Sequence, residues 1–209
     1  MKYTINTIRV LFLGLFVILL VNDKLMLWLV LFGISLLLAL FFGRIYCGFM
    51  CPMNTLMIPT EVISKKLGIQ SDKTPKWFSS GNFGWFALVV SLIAFFFTRF
   101  VLNKNFPVLI VWILASVLIT IRYKPEVFHN LICPYGILQK IFGKFAFFSE
   151  KVNEDKCIGC KLCETVCPSK SVVVSPINKK AKIDSAICLQ CTNCQQICPT
   201  KAITYTLQR

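Results

Sequence analysis

Two cysteine-rich runs near the end of the sequence constrain its fold more than any other feature. Eight of the eleven cysteines lie in residues 157–199, first as CIGCKLCETVCP and then as CLQCTNCQQICP. Each run has the spacing C-x2-C-x2-C-x3-C-P, in which thiolates ligate cubane iron-sulfur clusters and the fourth cysteine serves the other cluster. Zinc is the alternative, but a zinc ribbon uses paired C-x2-C knuckles and has no need of a third cysteine at equal spacing.

The spacing assigns the eight cysteines to two 4Fe-4S clusters. We expect cluster 1 to be held by Cys157, Cys160, Cys163 and Cys198, and cluster 2 by Cys188, Cys191, Cys194 and Cys167. The β-rich runs 172–174 and 203–205 should each pair with a strand before the opposite loop, near Val152 and Ile183. A region this small buries little apolar surface, so the clusters themselves should act as its core.

The rest of the chain is too apolar for an ordinary soluble protein. Hydrophobic residues make up 56% of the sequence and the mean hydropathy is +0.69, which favours an integral membrane protein with a soluble tail. The net charge is +14, but the lysines and arginines flank apolar segments instead of forming one basic face. We therefore expect contacts with membrane lipid headgroups and no nucleic-acid partner.

Four apolar segments have the length that a bilayer requires, at residues 3–21, 25–43, 77–98 and 105–121. Arg9 interrupts the first segment, and we expect its side chain to snorkel toward the N-terminal interface. The loop between the second and third segments is the richest in cations, with Arg44, Lys65, Lys66, Lys73 and Lys76, whereas the outer loops carry only Lys24, Arg99 and Lys104. The positive-inside rule then predicts a cytoplasmic-membrane protein with both termini and the cysteine runs on the cytoplasmic side.

The four apolar segments are predicted to form two helical hairpins, and each hairpin is followed by a further cysteine motif. Residues 44–52 read RIYCGFMCP, a C-x3-C-P with Cys47 and Cys51, and residues 129–136 read HNLICPYG, an H-x3-C-P with His129 and Cys133. Both motifs run into amphipathic segments, at residues 53–67 and 137–148, and in the latter apolar residues recur at helical spacing, which predicts an interfacial helix. The first 149 residues are therefore predicted to be a duplicated unit.

The two motifs allow opposite interpretations. If the hairpins pack with pseudo-twofold symmetry, three thiolates and one imidazole would converge and hold a third cluster, with Cys47, Cys51, Cys133 and His129 as ligands. An imidazole ligand raises a cluster's potential, which would suit an acceptor that faces quinol. Alternatively, the Cys-Pro pairs only end helices and pack beneath the cysteine runs, and His129 is an ordinary interfacial histidine.

The cysteine runs resemble the two-cluster bacterial ferredoxins over residues 150–209, and nearly the whole chain resembles the NapH and NosR type of membrane polyferredoxin. That resemblance rests on the four apolar segments, the x3-C-P motifs after the second and fourth of them, and the two C-terminal runs. It implies electron transfer between the quinone pool, as menaquinol or ubiquinol, and a respiratory reductase, and some relatives serve in enzyme assembly. The chain departs from the family in having His129 where a cysteine is usual, and it lacks the large extra domain of the NosR branch.

The predicted fold is an all-α membrane domain at 1–149, with four transmembrane helices in two pseudo-repeated hairpins, and a small α+β ferredoxin-like domain at 150–209. We expect an electron-transfer subunit of a larger oxidoreductase, related to quinol dehydrogenases, whose residues act as ligands and not as catalytic acids or bases. One alternative is a maturation factor that reduces a metal or thiol during assembly of a respiratory enzyme. Another is a docking subunit whose clusters only stabilise an anchor.

Overall fold

The computed structural model describes residues 2–71, 74–75, 78, 81–101 and 108–207. It divides into two compact units, one made of Met1–Cys51 with Gln139–Arg209 and the other of Pro52–Leu138. The predicted domains, 1–149 and 150–209, were drawn from composition and stay a prediction. The predicted starts of the third and fourth segments, at 77 and 105, lie outside the described residues, as do three of the cations used for orientation, Lys73, Lys76 and Lys104.

Three of the described helices are long and apolar enough to cross a membrane, within α1 (Lys2–Val21), α2 (Leu25–Phe42) and α4 (Asn82–Phe100). The fourth predicted segment contains a shorter apolar helix of 15 residues, α5 (Val108–Arg122). The first unit packs α1 against α2 through Trp28, which is fully buried, meets Phe16 edge to face and donates its indole N–H to the Tyr46 hydroxyl at 2.9 Å. Tyr46 is therefore buried inside this unit.

The second unit is built around α3 (Pro52–Lys66), which packs along α5. Ser64 of α3 donates a hydrogen bond to the carbonyl of Ile121, and just beyond the helix Gln70 donates to the carbonyls of Thr120 and Tyr123 at 3.3 and 3.1 Å. The chain continues through α6 (Pro125–Val127) and α7 (Pro134–Gly143). The helix predicted for residues 53–67 is thus present, and part of its surface is used to pack on α5.

The interfacial helix predicted for residues 137–148 is wrong in its second half, because α7 ends at Gly143 and a strand begins at Phe148. Two aromatic residues in this half, Phe147 and Phe148, contact the end of α2 instead. The backbone N–H of Phe147 donates to the carbonyl of Leu40 at 3.3 Å, and the ring of Phe148 stacks on Phe42. These contacts require an extended chain, and hydrophobic periodicity alone does not distinguish them from one face of a helix.

The ferredoxin region, residues 148–207, contains two antiparallel strand pairs and two short helices, namely β1 (Phe148–Val152), α8 (Leu162–Thr165), β2 (Val172–Val174), β3 (Ala181–Ile183), α9 (Asn193–Ile197) and β4 (Ile203–Leu207). Val152 of β1 lies opposite Ile203 of β4, and Val172 of β2 lies opposite Ile183 of β3. Both predicted pairings are confirmed. The small apolar core between them includes the buried thiols of Cys163 and Cys194 among its aliphatic side chains.

Candidate iron-sulfur sites

The four cysteines predicted for cluster 1 line a single cavity, here called the first cavity, with about 350 Å³ of atom-free space. They come from the loop before α8, from α8 itself and from the residue that follows α9, and they are Cys157, Cys160, Cys163 and Cys198. Aliphatic side chains of β2, β3 and β4 complete the wall. The cavity is open at one side, where the Cys160 side chain is exposed and Ile158 is 64% exposed.

The four cysteines predicted for cluster 2 line the second cavity, which has about 250 Å³ of atom-free space and contains Cys167, Cys188, Cys191 and Cys194. Three of these thiols, those of the second run, are buried. The fourth, Cys167, comes from the first run, as Cys198 of the second run comes to the first cavity. The structure therefore gathers the same two sets of four cysteines that the spacing defines.

The donor set of both cavities fits an iron-sulfur cluster. All eight cysteines are free of disulfides, and backbone N–H groups point at three of their sulfurs. Ser171 and Ala202 donate to the sulfurs of Cys167 and Cys198 at 3.3 Å, and Ala181 donates to that of Cys157 at 3.5 Å. Hydrogen bonds of this kind stabilise thiolate ligands and tune the potential of the cluster that they hold.

Burial also raises the pKa of the thiols in the second cavity, which affects how they bind iron. Loss of solvent raises the pKa of the Cys188 thiol to about 12 and that of Cys191 to about 11. Both thiols therefore keep their protons at neutral pH until a metal replaces them, because only the thiolate is a ligand. Loading this cavity with iron must release protons, as metal binding to thiols generally does.

The duplication of the two runs extends to their backbone conformation. Equivalent positions adopt positive φ in both runs: Gly159 (69°) and Gln190 (54°), Lys161 (62°) and Thr192 (58°), Lys170 (54°) and Lys201 (50°). Residues other than glycine rarely adopt this conformation, and its repetition at three matched positions marks one loop design used twice. Alternating right- and left-handed residues turn successive N–H groups toward one side, which forms a concavity for anions.

Two polar residues beside the second cavity, Gln190 and Glu150, are not part of the cysteine motif. The side-chain amide of Gln190 donates to the Ser149 hydroxyl at 2.7 Å, and its carbonyl accepts from the backbone N–H of Glu150 at 3.1 Å. Glu150 lines the cavity and is 1% exposed, and neither of its carboxylate oxygens has a hydrogen-bond partner. Burial raises the pKa of this carboxyl to about 7. A glutamate on a short strand gives no such signal in the sequence.

The first x3-C-P motif lies against the second cysteine run. Gly48 has no room for a side chain, because a Cβ there would collide with the carbonyl oxygen of Leu189 and lie 3.4 Å from the backbone of Cys191. The carbonyl of Gly48 in turn accepts a 2.9 Å hydrogen bond from the guanidinium of Arg9, which is 6% exposed. Arg9 therefore does not snorkel as predicted, since it finds a buried acceptor within the protein.

Both x3-C-P motifs adopt the same local structure, a single π-helical turn at Tyr46–Met50 and at Phe128–Ile132. The N–H of Cys51 donates to the carbonyl of Tyr46 at 2.9 Å, and that of Cys133 to the carbonyl of Phe128 at 2.8 Å. In each case a proline follows as the first residue of the next helix, a position where its missing N–H costs nothing. Isolated π-helical turns occur frequently at functional sites.

The candidate ligands of a third cluster fall in both units, Cys47 and Cys51 in the first and His129 and Cys133 in the second. Their convergence stays a prediction. His129 is 4% exposed, and its Nε2 lies 3.2 Å from the amide oxygen of Asn54. An amide oxygen accepts hydrogen bonds, so an imidazole that donates to it does so from a protonated Nε2. The spacing of the motif gave no indication of Asn54.

Comparison with protein families matches both parts of the chain to iron-sulfur models. A model described as a 4Fe-4S binding domain matches two segments, residues 25–70 and 105–153, each of which contains one x3-C-P motif. A model described as a 4Fe-4S dicluster domain matches residues 156–202. These matches support a protein of the 4Fe-4S ferredoxin type that carries iron-sulfur clusters. The narrower resemblance to the NapH and NosR type stays a prediction.

Known relatives are distant and longer than the region that they share with this chain. An uncharacterized protein of Methanocaldococcus jannaschii is 28% identical over 160 residues, covering 76% of this chain and 65% of the relative. The methylamine utilization ferredoxin-type protein MauN of Paracoccus denitrificans is 24% identical over 155 residues, covering 67% of this chain and 55% of MauN. The chain thus spans between about half and two thirds of these relatives. No solved structure matches it significantly.

Proposed function

We propose that this protein is a membrane-anchored iron-sulfur electron-transfer subunit, which relays electrons between the quinone pool or a redox partner and a respiratory oxidoreductase. The observation that carries the proposal is the sorting of eight cysteines into two cavities of four, with the fourth cysteine exchanged between the runs. The ferredoxin-type relatives and the match to the dicluster model support the same class of function.

In this proposal the eight cysteines hold two 4Fe-4S clusters, each of which supplies reversible one-electron transfer. The chain's own residues provide the thiolates, the N–H donors to sulfur and the apolar walls that limit water. The three long apolar helices provide the anchor, and their exposed leucine, valine and phenylalanine side chains suit contact with lipid. The cation-rich loop after α2 supports a cytoplasmic position for the clusters.

A third cluster at Cys47, Cys51, Cys133 and His129 is part of the proposal. Its support is that one 4Fe-4S model matches both segments that contain these residues, and that the two cysteines which follow the π-helical turns share one backbone geometry. The contact between His129 and Asn54 adds that the imidazole is buried and its orientation is fixed by a neighbouring polar group, as the imidazole of a ligating histidine commonly is. A relay that accepts electrons from quinol would need such a group near the apolar helices.

The open side of the first cavity supports contact with a redox partner there. Ile158 and Ile177 are 64% and 93% exposed, and exposed lysines stand beside them at positions 156, 161 and 179. These three lysines outnumber the two exposed carboxylates next to Lys156, Glu154 and Asp155, so the surface suits a partner with an acidic surface, which long-range attraction would steer toward the cluster. An acidic flavodoxin should therefore exchange electrons with the protein faster than a basic cytochrome c, and the advantage should shrink with added salt.

The decisive experiment is a redox titration of the purified protein in lipid nanodiscs, followed by electron paramagnetic resonance and combined with iron and sulfide analysis. We expect at least two 4Fe-4S signals and reduction of the clusters by a menaquinol analogue. Clusters that reduce with dithionite but stay oxidised with quinol would exclude direct quinol oxidation. A respiratory enzyme that is assembled but lacks its metal in a strain without this protein would favour the maturation role instead.

The third cluster is tested by the same analysis. About twelve iron atoms per chain are expected with a third 4Fe-4S cluster and about eight without it. Cys133→Ala and Cys51→Ala should remove one signal and about four iron atoms while both ferredoxin signals remain. His129→Ala should shift that signal or remove it, and His129→Cys should retain it at a lower potential, since a thiolate donates more charge than an imidazole.

A further inference from the structure

We propose that Arg9, on the first apolar helix, sets the reduction potential of cluster 2 by holding a fixed positive charge beside Cys191. The inference rests on the proposed function, because it requires a cluster in the second cavity. It assigns to the N-terminal helix a role in redox tuning in addition to anchoring. Neither the cysteine spacing nor the matched family segments, which begin at residue 25, include this arginine.

Geometry places the guanidinium of Arg9 next to the second cavity. Its Nε donates to the carbonyl of Gly48 at 2.9 Å, and Gly48 is packed directly against the backbone of Leu189 and Cys191. Gly48 therefore contacts both the cation and the loop that carries Cys191, one of the four cysteines of cluster 2. The π-helical turn that places Gly48 there is formed locally, and the guanidinium is held between the Gly48 carbonyl and the Asn6 amide oxygen, to which Nη1 donates at 3.5 Å.

The charge of Arg9 is permanent and poorly screened. Arginine does not lose its proton in proteins, and an ionised residue in an apolar helix is costly enough that it generally marks a functional position. The charges of Arg9 and Glu150 act on the Cys191 thiol in opposite directions, Arg9 favouring and Glu150 opposing its negative charge. Reduction adds one negative charge to a cluster, and a nearby cation stabilises that form and raises the potential.

The first cavity has a different set of cations, which makes the effect selective. Lys180 contacts it through a 2.7 Å hydrogen bond to the carbonyl of Cys157, and the lysines around its open side are exposed. Exposed charges are screened by water and salt, so they shift a potential less than a buried one does. Loss of Arg9 should therefore lower the potential of cluster 2 and leave that of cluster 1 unchanged.

Two substitutions separate the charge of Arg9 from its hydrogen bond. Arg9→Gln keeps an N–H donor for the Gly48 carbonyl but removes the charge, whereas Arg9→Lys keeps the charge on a shorter donor. A purely structural role predicts that both variants retain the potentials of the wild type. The proposed role predicts that only the lysine variant does.

The experiment is a redox titration of both ferredoxin signals by electron paramagnetic resonance, with each variant in lipid nanodiscs. For Arg9→Gln we expect the equilibrium constant for reduction of cluster 2 to fall about tenfold, a shift of about 59 mV for one electron. The potential of cluster 1 should not shift, and Arg9→Lys should keep the potential of cluster 2 close to that of the wild type. Arg99→Gln, which removes an exposed arginine from α4, is the matched control and should shift neither signal.

The outcomes distinguish this inference from the proposed function. Wild-type protein without iron and sulfide would overturn the proposed function itself. Full iron content in Arg9→Gln with an unchanged cluster 2 potential, or an equal shift of both clusters, would overturn only the role of Arg9.

If Arg9→Gln does not retain its clusters, Arg9→His allows the same test within one folded variant. An imidazole gains and loses its charge near pH 6.5, about where histidine titrates. The cluster 2 potential of Arg9→His should then fall more steeply with pH than that of the wild type. Equal pH slopes in the two proteins would contradict the inference.

Discussion

The two cysteine cavities have the same ligand motif but different surroundings. Ile158 in the first run and Leu189 in the second occupy equivalent positions, yet Ile158 is 64% exposed and Leu189 is 1% exposed. Cys160 is likewise exposed where its equivalent, Cys191, is buried. Duplication thus supplies the ligands and the loop geometry, whereas the neighbouring elements decide which site faces water and which faces the helices.

The cause of the difference lies in the residues that cover each loop. The second run is covered by the π-helical turn at Gly48 and by β1, whose Ser149 and Glu150 bind Gln190. The first run packs against other parts of the ferredoxin region, namely the turn at Lys179 and the side chains of β2, β3 and β4. The first site is therefore open and the second enclosed, which under the proposed function would leave the first to exchange electrons with a partner. Each of the following predictions tests this contrast.

Ligand removal should give the largest effect, and it should differ between the sites. Cys160→Ala removes an exposed thiol, so we expect loss of cluster 1 and of about four iron atoms per chain while cluster 2 remains. Cys191→Ala removes a buried ligand from the packed site, so we expect loss of cluster 2 together with the folded ferredoxin region, because cluster binding drives folding here. Iron content and protease resistance measure both effects. Equal damage from the two substitutions would remove the distinction between an outer and an inner site.

Glycine substitutions should give the next largest effect and act on one site each. A Cβ at Gly159 would collide with the carbonyl of Lys179 at a φ of 69°, and a Cβ at Gly48 would collide with the carbonyl of Leu189. Because the backbone must move in both cases, we expect the free energy of unfolding of each alanine variant to fall by about 2 kcal/mol or more. Gly159→Ala should weaken the cluster 1 signal and Gly48→Ala the cluster 2 signal. Gly14→Ala is the control, since nothing lies within 4 Å of a Cβ at Gly14, and a loss of stability or of either cluster signal on that change would contradict the steric argument.

The sequence predicted the local part of this structure well. Cysteine spacing gave the two sets of four, and β-propensity gave the pairings of Val152 with Ile203 and Val172 with Ile183. Both signals operate within the ferredoxin region, where the motif itself dictates the fold. Hydrophobic runs likewise gave α1 and α2 to within one residue at each end.

The parts that failed depend on contacts between distant segments. Arg9 was expected at the interface because its acceptor, Gly48, is 39 residues away and is presented by a π-helical turn that no periodicity indicates. Phe148 fitted a helical spacing in the sequence, but it begins β1 and its ring stacks on Phe42 at the end of α2. Glu150 and Gln190 gained their roles only when β1 was placed over the second run.

Gln190 offers a third test, because it occupies the position that glycine occupies in the first run. Its φ of 54° is unfavourable for a side chain, and the bonds to Ser149 and Glu150 offset that cost. Gln190→Gly loses both bonds, at roughly 1 kcal/mol each, but also removes the cost of the positive φ, about 1 kcal/mol, so we expect the free energy of unfolding to fall by about 1 kcal/mol. Guanidinium titration of the cluster absorbance measures it. Gln190→Gly with unchanged stability would show that the conformation alone matters, as at Gly159.

Glu150→Gln should give the smallest effect, which is a change in how the stability of the protein depends on pH. Burial raises the pKa of Glu150 to about 7, so the folded chain binds this proton more tightly than the unfolded chain does. The stability that the protonated form provides is complete below the usual pKa of a glutamate and is lost as pH rises through about 7. Between about pH 6 and pH 8 we expect the free energy of unfolding of the wild type to fall by about 1 kcal/mol relative to that of Glu150→Gln. Guanidinium titration, followed by the cluster absorbance at each pH, measures this difference.

Glu154, an exposed glutamate four residues later in the chain, is the matched control, and Glu154→Gln should leave the pH profile unchanged. A wild-type profile parallel to that of Glu150→Gln would mean that water reaches this carboxylate, and the second site would then be less enclosed than its buried cysteines indicate.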